Sequence, residues 1–74
     1  SPRKQYILLG HATLMSGRYA YHLGLYDEAL EDMHAGQNIL QQHGTREDHY
    51  MAADAISIRY RSLGQYQQAK TWLQ

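Results

Sequence analysis

The sequence predicts an all-α fold: two helix–turn–helix repeats, four antiparallel helices in all. Three observations predict it. A seven-residue signature occurs twice, as Leu23-Gly24-Leu25-Tyr26-Asp27-Glu28-Ala29 and as Leu63-Gly64-Gln65-Tyr66-Gln67-Gln68-Ala69, spaced 40 residues apart. Self-similarity at a period of about 20–50 residues marks a repeat architecture. The only proline is Pro2, so no proline interrupts helices later in the chain. There is no valine, no phenylalanine and no alternating β-branched run, so no segment reads as a strand.

The elements follow in order. Ser1 is a plausible N-cap, and Pro2 suits the first turn of a helix because its missing N–H has no partner there anyway. Arg3 to about Leu23 are good or neutral helix formers apart from Gly10 and Gly17, and Gly24 breaks this first helix. A second helix starts near Tyr26. Asp27, Glu28, Glu31 and Asp32 crowd its first turns, where the helix dipole favours negative charge. Its apolar stripe is Tyr26, Ala29, Leu30, Met33 and Leu40, and it ends near His43 with Gly44 as a stop. Thr45 then reads as an N-cap, with Asp48 three residues later as a capping box. The third helix carries Ala53, Ile56, Tyr60 and Leu63 on one face and breaks at Gly64. A fourth begins at Tyr66, with Ala69, Trp72 and Leu73 apolar. Short connections predict that sequential helices pack antiparallel.

Charge and composition remove several function classes. Seven Lys+Arg balance seven Asp+Glu, and the only basic–aromatic cluster is Arg59-Tyr60-Arg61, so direct nucleic-acid binding is not expected. The chain has no cysteine, which excludes a disulfide framework and thiolate metal sites. Its longest apolar run, Ile7-Leu8-Leu9, is far too short to cross a bilayer, and the amino terminus has no signal-peptide pattern. A cytoplasmic setting is therefore the default expectation.

No enzyme is expected, and no cofactor or metal. The five histidines, His11, His22, His34, His43 and His49, form no His-Glu-x-x-His pair and no i, i+4 pair. His11 and His22 lie about 16 Å apart along a helix, too far to share a zinc ion. The acidic run at 27–32 sits where a helix start favours carboxylates. Ser16, Ser57 and Ser62 lack a nucleophile-elbow context, and Gly10, Gly17 and Gly24 are spaced along a helix rather than gathered in a phosphate loop.

The two units resemble tetratricopeptide repeats, in which two antiparallel helices meet at a Gly-x-Tyr-x-x-Ala turn. That turn is matched by Gly24, Tyr26 and Ala29, and again by Gly64, Tyr66 and Ala69. The family's small mid-helix residue falls on Gly17 and Ser57. Its following large residue falls on Tyr60, with Ala20 in its place in the first unit, and its late small residue falls on Gly36. The resemblance implies one domain over residues 1–74, with repeat one at about 6–44 and a truncated repeat two at 45–74, as a segment of a larger protein. The period is 40 rather than the usual 34 residues, a length the family shows in bacterial sensor and regulator proteins. The aromatic usual early in the first helix is replaced by Thr13 and Ala53.

Gly10, Thr13, Gly17, Ala20 and Gly24 form a stripe of small residues along the first helix. Glycine inside a helix costs about 0.5–1 kcal/mol relative to alanine, so close approach of another helix is expected to offset it. Gly36 is the candidate partner within the repeat, and docking of a partner helix is the alternative.

In the resembling family, the first helices of successive repeats line a concave groove. Carried over, that register implies a protein- or peptide-binding surface made of His11, Leu14, Arg18 and Tyr21 with Met51, Asp54, Ile58 and Arg61. The set lacks the Lys and Asn constellation with which some members clamp a C-terminal carboxylate. A second reading makes Leu14, Met51 and Ile58 core or self-association contacts. The leading expectation is a protein or peptide interaction module, serving as the sensing or scaffolding segment of a signalling or transcription-regulatory protein. The alternatives are a homodimerisation module that uses an exposed helical flank near Trp72 and Leu73, and a structural spacer in a multidomain enzyme or regulator.

Overall fold

The computed structural model describes the backbone of residues 1–73, with side chains through Gln65 and at Gln67. The chain is all-helical, with α1 (Pro2–His22), α2 (Tyr26–His43) and α3 (Arg46–Leu73), in a molecule measuring 52 × 20 × 14 Å.

Local sequence chemistry sets the starts and stops. Ser1 caps α1, its hydroxyl oxygen accepting from the Lys4 N–H at 3.4 Å, and Pro2 is the first helical residue. At the other end the Gly24 N–H bonds to the Tyr21 carbonyl at 3.0 Å and the Leu25 N–H to the Ala20 carbonyl at 2.9 Å. This paired arrangement is a Schellman motif, and it needs a residue in the left-handed region, which Gly24 supplies with φ of +81°. Asp27 and Glu28 then occupy the first turn of α2. At the second joint the expected capping box is present. The Asp48 N–H bonds to Thr45 Oγ1 at 3.2 Å, while the Thr45 N–H bonds to Asp48 Oδ2 at 2.8 Å.

The order of contacts along the helices fixes their directions. Gly10 lies against Leu40, and Gly17 against Met33 and Ala29, so α1 and α2 are antiparallel. Leu40 shares a core cluster with Ala52, and His34 is hydrogen-bonded to Tyr60, so α2 and α3 are antiparallel too. The third helix consequently runs parallel to the first.

The stripe of small residues is the seam of the α1–α2 hairpin. A Cβ on Gly17 would lie 3.0 Å from the Ala29 carbonyl oxygen, and one on Gly36 would lie 2.9 Å from that of Gly10. The gain is continuous dispersion contact between the two backbones. Around this seam lies a small core of Leu14, Ala20, Ala29, Met33, Leu40, Ala52, Ile56 and Leu63. Further ties close the open end: Tyr6 stacks on His43 with ring centroids 4.2 Å apart, and the Arg3 Nε–H donates to the His43 carbonyl at 2.9 Å.

The structure corrects two expectations. The predicted fourth helix is absent as a separate element, because α3 continues through Gly64 and Tyr66 to Leu73. Gly64 is not in the left-handed region, and among the described residues nothing lies within 4 Å of a Cβ placed on it. The two signatures differ in their flanks. Asp27 and Glu28 favour a helix start after Gly24, whereas Gln65, Gln67 and Gln68 are ordinary helix formers with no charge to favour one. Glycine alone weakens a helix without stopping it. Tyr26 and Tyr66 therefore do not occupy equivalent corners: Tyr26 opens α2, and Tyr66 lies within α3.

The second correction concerns the face of α3. Ala52, not Ala53, is buried with Ile56 and Leu63, while Ala53 and Ser57 are exposed. Tyr60 is 43% exposed and reaches His34 rather than the core. The expectation for the Ala69 side chain lies outside the described residues.

Candidate interaction groove

Where α1 and α3 run side by side, a groove of about 250 Å³ opens between them. Its α1 side is His11, Leu14, Met15 and Arg18. Its α3 side is Met51, Ala55 and Arg59, and Met33 of α2 contributes the base. Met33 is 1% exposed, whereas Met15 and Met51 are 62% and 56% exposed. A cavity of this volume falls below the range of about 300–1,000 Å³ common for small-molecule sites, so it suits individual side chains of a larger partner better than a cofactor.

The end of the groove near the joint is pinned. His11 Nε2 lies 2.8 Å from Asp48 Oδ1, a contact that ties α1 to the first turn of α3. The Asp48 carboxyl is held below the usual carboxylate range, first by its hydrogen bond from the Thr45 backbone and next by His11. One aspartate thus both caps α3 and holds α1 beside it. The other end carries Arg18, which is exposed, and Arg59, whose Nη1 donates to the Ala55 carbonyl at 3.4 Å within its own helix.

Of the eight residues expected in the groove, the structure brings together His11, Leu14, Arg18 and Met51. Tyr21 is half-buried instead, packed against the cluster of Ala20, Ala29, Met33 and Ile56 with its ring 5.6 Å from that of Tyr26. Asp54, Ile58 and Arg61 are exposed and do not line the groove. The sequence reading stepped along α3 through residues 51, 54, 58 and 61. The helix presents Met51, Ala55 and Arg59 instead, because Ala52, Ile56 and Leu63 are drawn against α2. Met15, Met33, Ala55 and Arg59 were missed. The signal available was the methionine count: the chain has three, and all three line this groove.

A second depression of about 300 Å³ lies between the start of α2 and α3, lined by Tyr26, Asp27, Leu30, Tyr60, Leu63, Gly64 and Gln67. Among the described residues, no group of three or more His, Asp or Glu side chains is placed to hold a metal ion, and no helix is long and apolar enough to cross a membrane. No family model matches the chain, and no curated protein or solved structure matches it.

Proposed function

We propose that this chain is a protein-interaction module of the tetratricopeptide kind, with the α1–α2 hairpin as one repeat and α3 as the first helix of the next. The groove between α1 and α3 is its partner surface. One observation carries the reading. His11 and Met51, and likewise Met15 and Ala55, are each one 40-residue period apart, and both pairs line the same groove. Repeat-equivalent positions on parallel helices build the kind of extended surface that repeat proteins use for partners. In that role the segment serves the sensing or scaffolding part of a larger signalling or regulatory protein.

Selection from a random peptide library, followed by photocrosslinking from a benzoylphenylalanine placed at Met51, tests the reading. Selected peptides crosslink at Met51 and compete with one another. A library that yields no binder, or binders that leave Met51 uncrosslinked and crosslink from α2 instead, removes the groove as the partner surface.

Self-association is a second reading, favoured by the outer face of α1. There Leu8, Tyr19 and Leu23 are each more than half exposed, at 69%, 69% and 61%, and contiguous exposed apolar surface marks an interface. Sedimentation over a wide concentration range decides it: a dimer supports this reading, and a monomer throughout discards it.

A further inference from the structure

Granted that the groove is the partner surface, we infer that it takes an acidic–apolar segment of another protein, a bulky aliphatic side chain seated among Met15, Met33 and Met51 with carboxylates held by Arg18 and Arg59. The apolar half of this specificity comes from composition concentrated in one place. Every methionine in the chain is here. Methionine is unbranched, polarizable and able to repack, so such a surface accepts aliphatic side chains of differing shape. Met33 at the base is held by the core, and the exposed Met15 and Met51 are free to close over an inserted side chain.

The charged half comes from what the arginines lack. No carboxylate lines the groove, and neither Arg18 nor Arg59 makes an ion pair among the described residues. Asp48, which ties α3 to a groove residue, is committed to His11 and Thr45. The α1 helix carries no Asp or Glu at all. A guanidinium beside an apolar cavity is the donor arrangement that recognises carboxylate. A lysine-bearing segment would meet two positive charges there with none to balance them.

The test is fluorescence anisotropy with three labelled peptides: one alternating leucine and aspartate, one in which lysine replaces aspartate, and one in which alanine replaces leucine. The leucine–aspartate peptide binds. The other two bind at least about tenfold more weakly, a difference of about 1.4 kcal/mol. The surface variant Arg18→Glu/Arg59→Glu reverses the order, preferring the lysine peptide. Equal binding of the lysine and aspartate peptides, both displaced by a peptide already shown to crosslink at Met51, overturns the charge assignment and leaves the groove reading standing. Failure of the leucine–aspartate peptide while a library-selected peptide still crosslinks at Met51 overturns this proposal and leaves the groove reading standing, whereas failure of the library peptides as well removes the groove itself. A dimer abolished by the same double variant assigns the groove to a second copy and overturns the proposal as well.

Discussion

A Cβ placed on Gly36 would sit 2.9 Å from the carbonyl oxygen of Gly10, so α1 and α2 meet there backbone against backbone. The same atom would lie 3.0 Å from the Leu14 nitrogen. Gly36→Ala gains about 0.5–1 kcal/mol of helix propensity but forces the helices apart, and overpacking of this kind costs about 1–3 kcal/mol. The expected result is a net loss of roughly 1–2 kcal/mol, read from the urea midpoint.

Gly64→Ala is predicted to move stability the other way. Its Cβ meets nothing within 4 Å among the described residues and its backbone is helical, so the substitution adds about 0.5–1 kcal/mol. Gly24→Ala, also uncrowded but with φ of +81°, loses roughly 1–2 kcal/mol to left-handed strain. Thermal melts of the two variants thus separate the real corner from the sequence that resembles it. Two Gly64→Ala and Gly24→Ala losses of equal size would contradict a continuous α3.

The length of α3 is also accessible to a distance measurement, since a chain without cysteine accepts spin labels cleanly. Labels at Ala53 and Thr71, both within Arg46–Leu73, are predicted to have Cα atoms about 27 Å apart at 1.5 Å per residue. A hairpin bent at Gly64 would bring them to roughly 10 Å.

Asp48 makes stability depend on acid. Its carboxyl is held below the ordinary range by Thr45 and then His11. A depressed native pKa means that the stabilisation is present above the unfolded value, near about pH 4, and is lost as pH falls through the lower native one. The urea midpoint is expected to drop below about pH 4 in the natural chain. Asp48→Asn flattens that drop and lowers the plateau above it.

Leu40 is fully buried between α1 and α3. Leu40→Ala is predicted to cost roughly 2–5 kcal/mol, a large share of the roughly 5–15 kcal/mol that holds a typical domain together. Loss of the helical circular dichroism signal at ambient temperature is the expected readout, and Leu8→Ala, on the exposed outer face, leaves that signal intact.

What the sequence made legible was local. The caps at Ser1 and Thr45, the corner at Gly24 and the limits of α2 each depend on residues within one turn, and each appears as read. The Gly10–Gly17–Gly36 seam was legible too, because glycine inside a helix calls for a close neighbour. The end of α3 was not, since the repeated signature hid a difference in flanking charge. The α3 side of the groove depended on which face α2 captures, a tertiary choice that set Ala55 and Arg59 beside Met51 along the groove and left Asp54 and Arg61 exposed.

The most direct measurement of the central claim follows the methyl resonances of the three methionines while the leucine–aspartate peptide is added. Met15 and Met51 are predicted to shift with the same saturation curve as the anisotropy, and the shifts are predicted to vanish in Arg18→Glu/Arg59→Glu. Saturable peptide binding that leaves all three methyl signals in place would contradict the account.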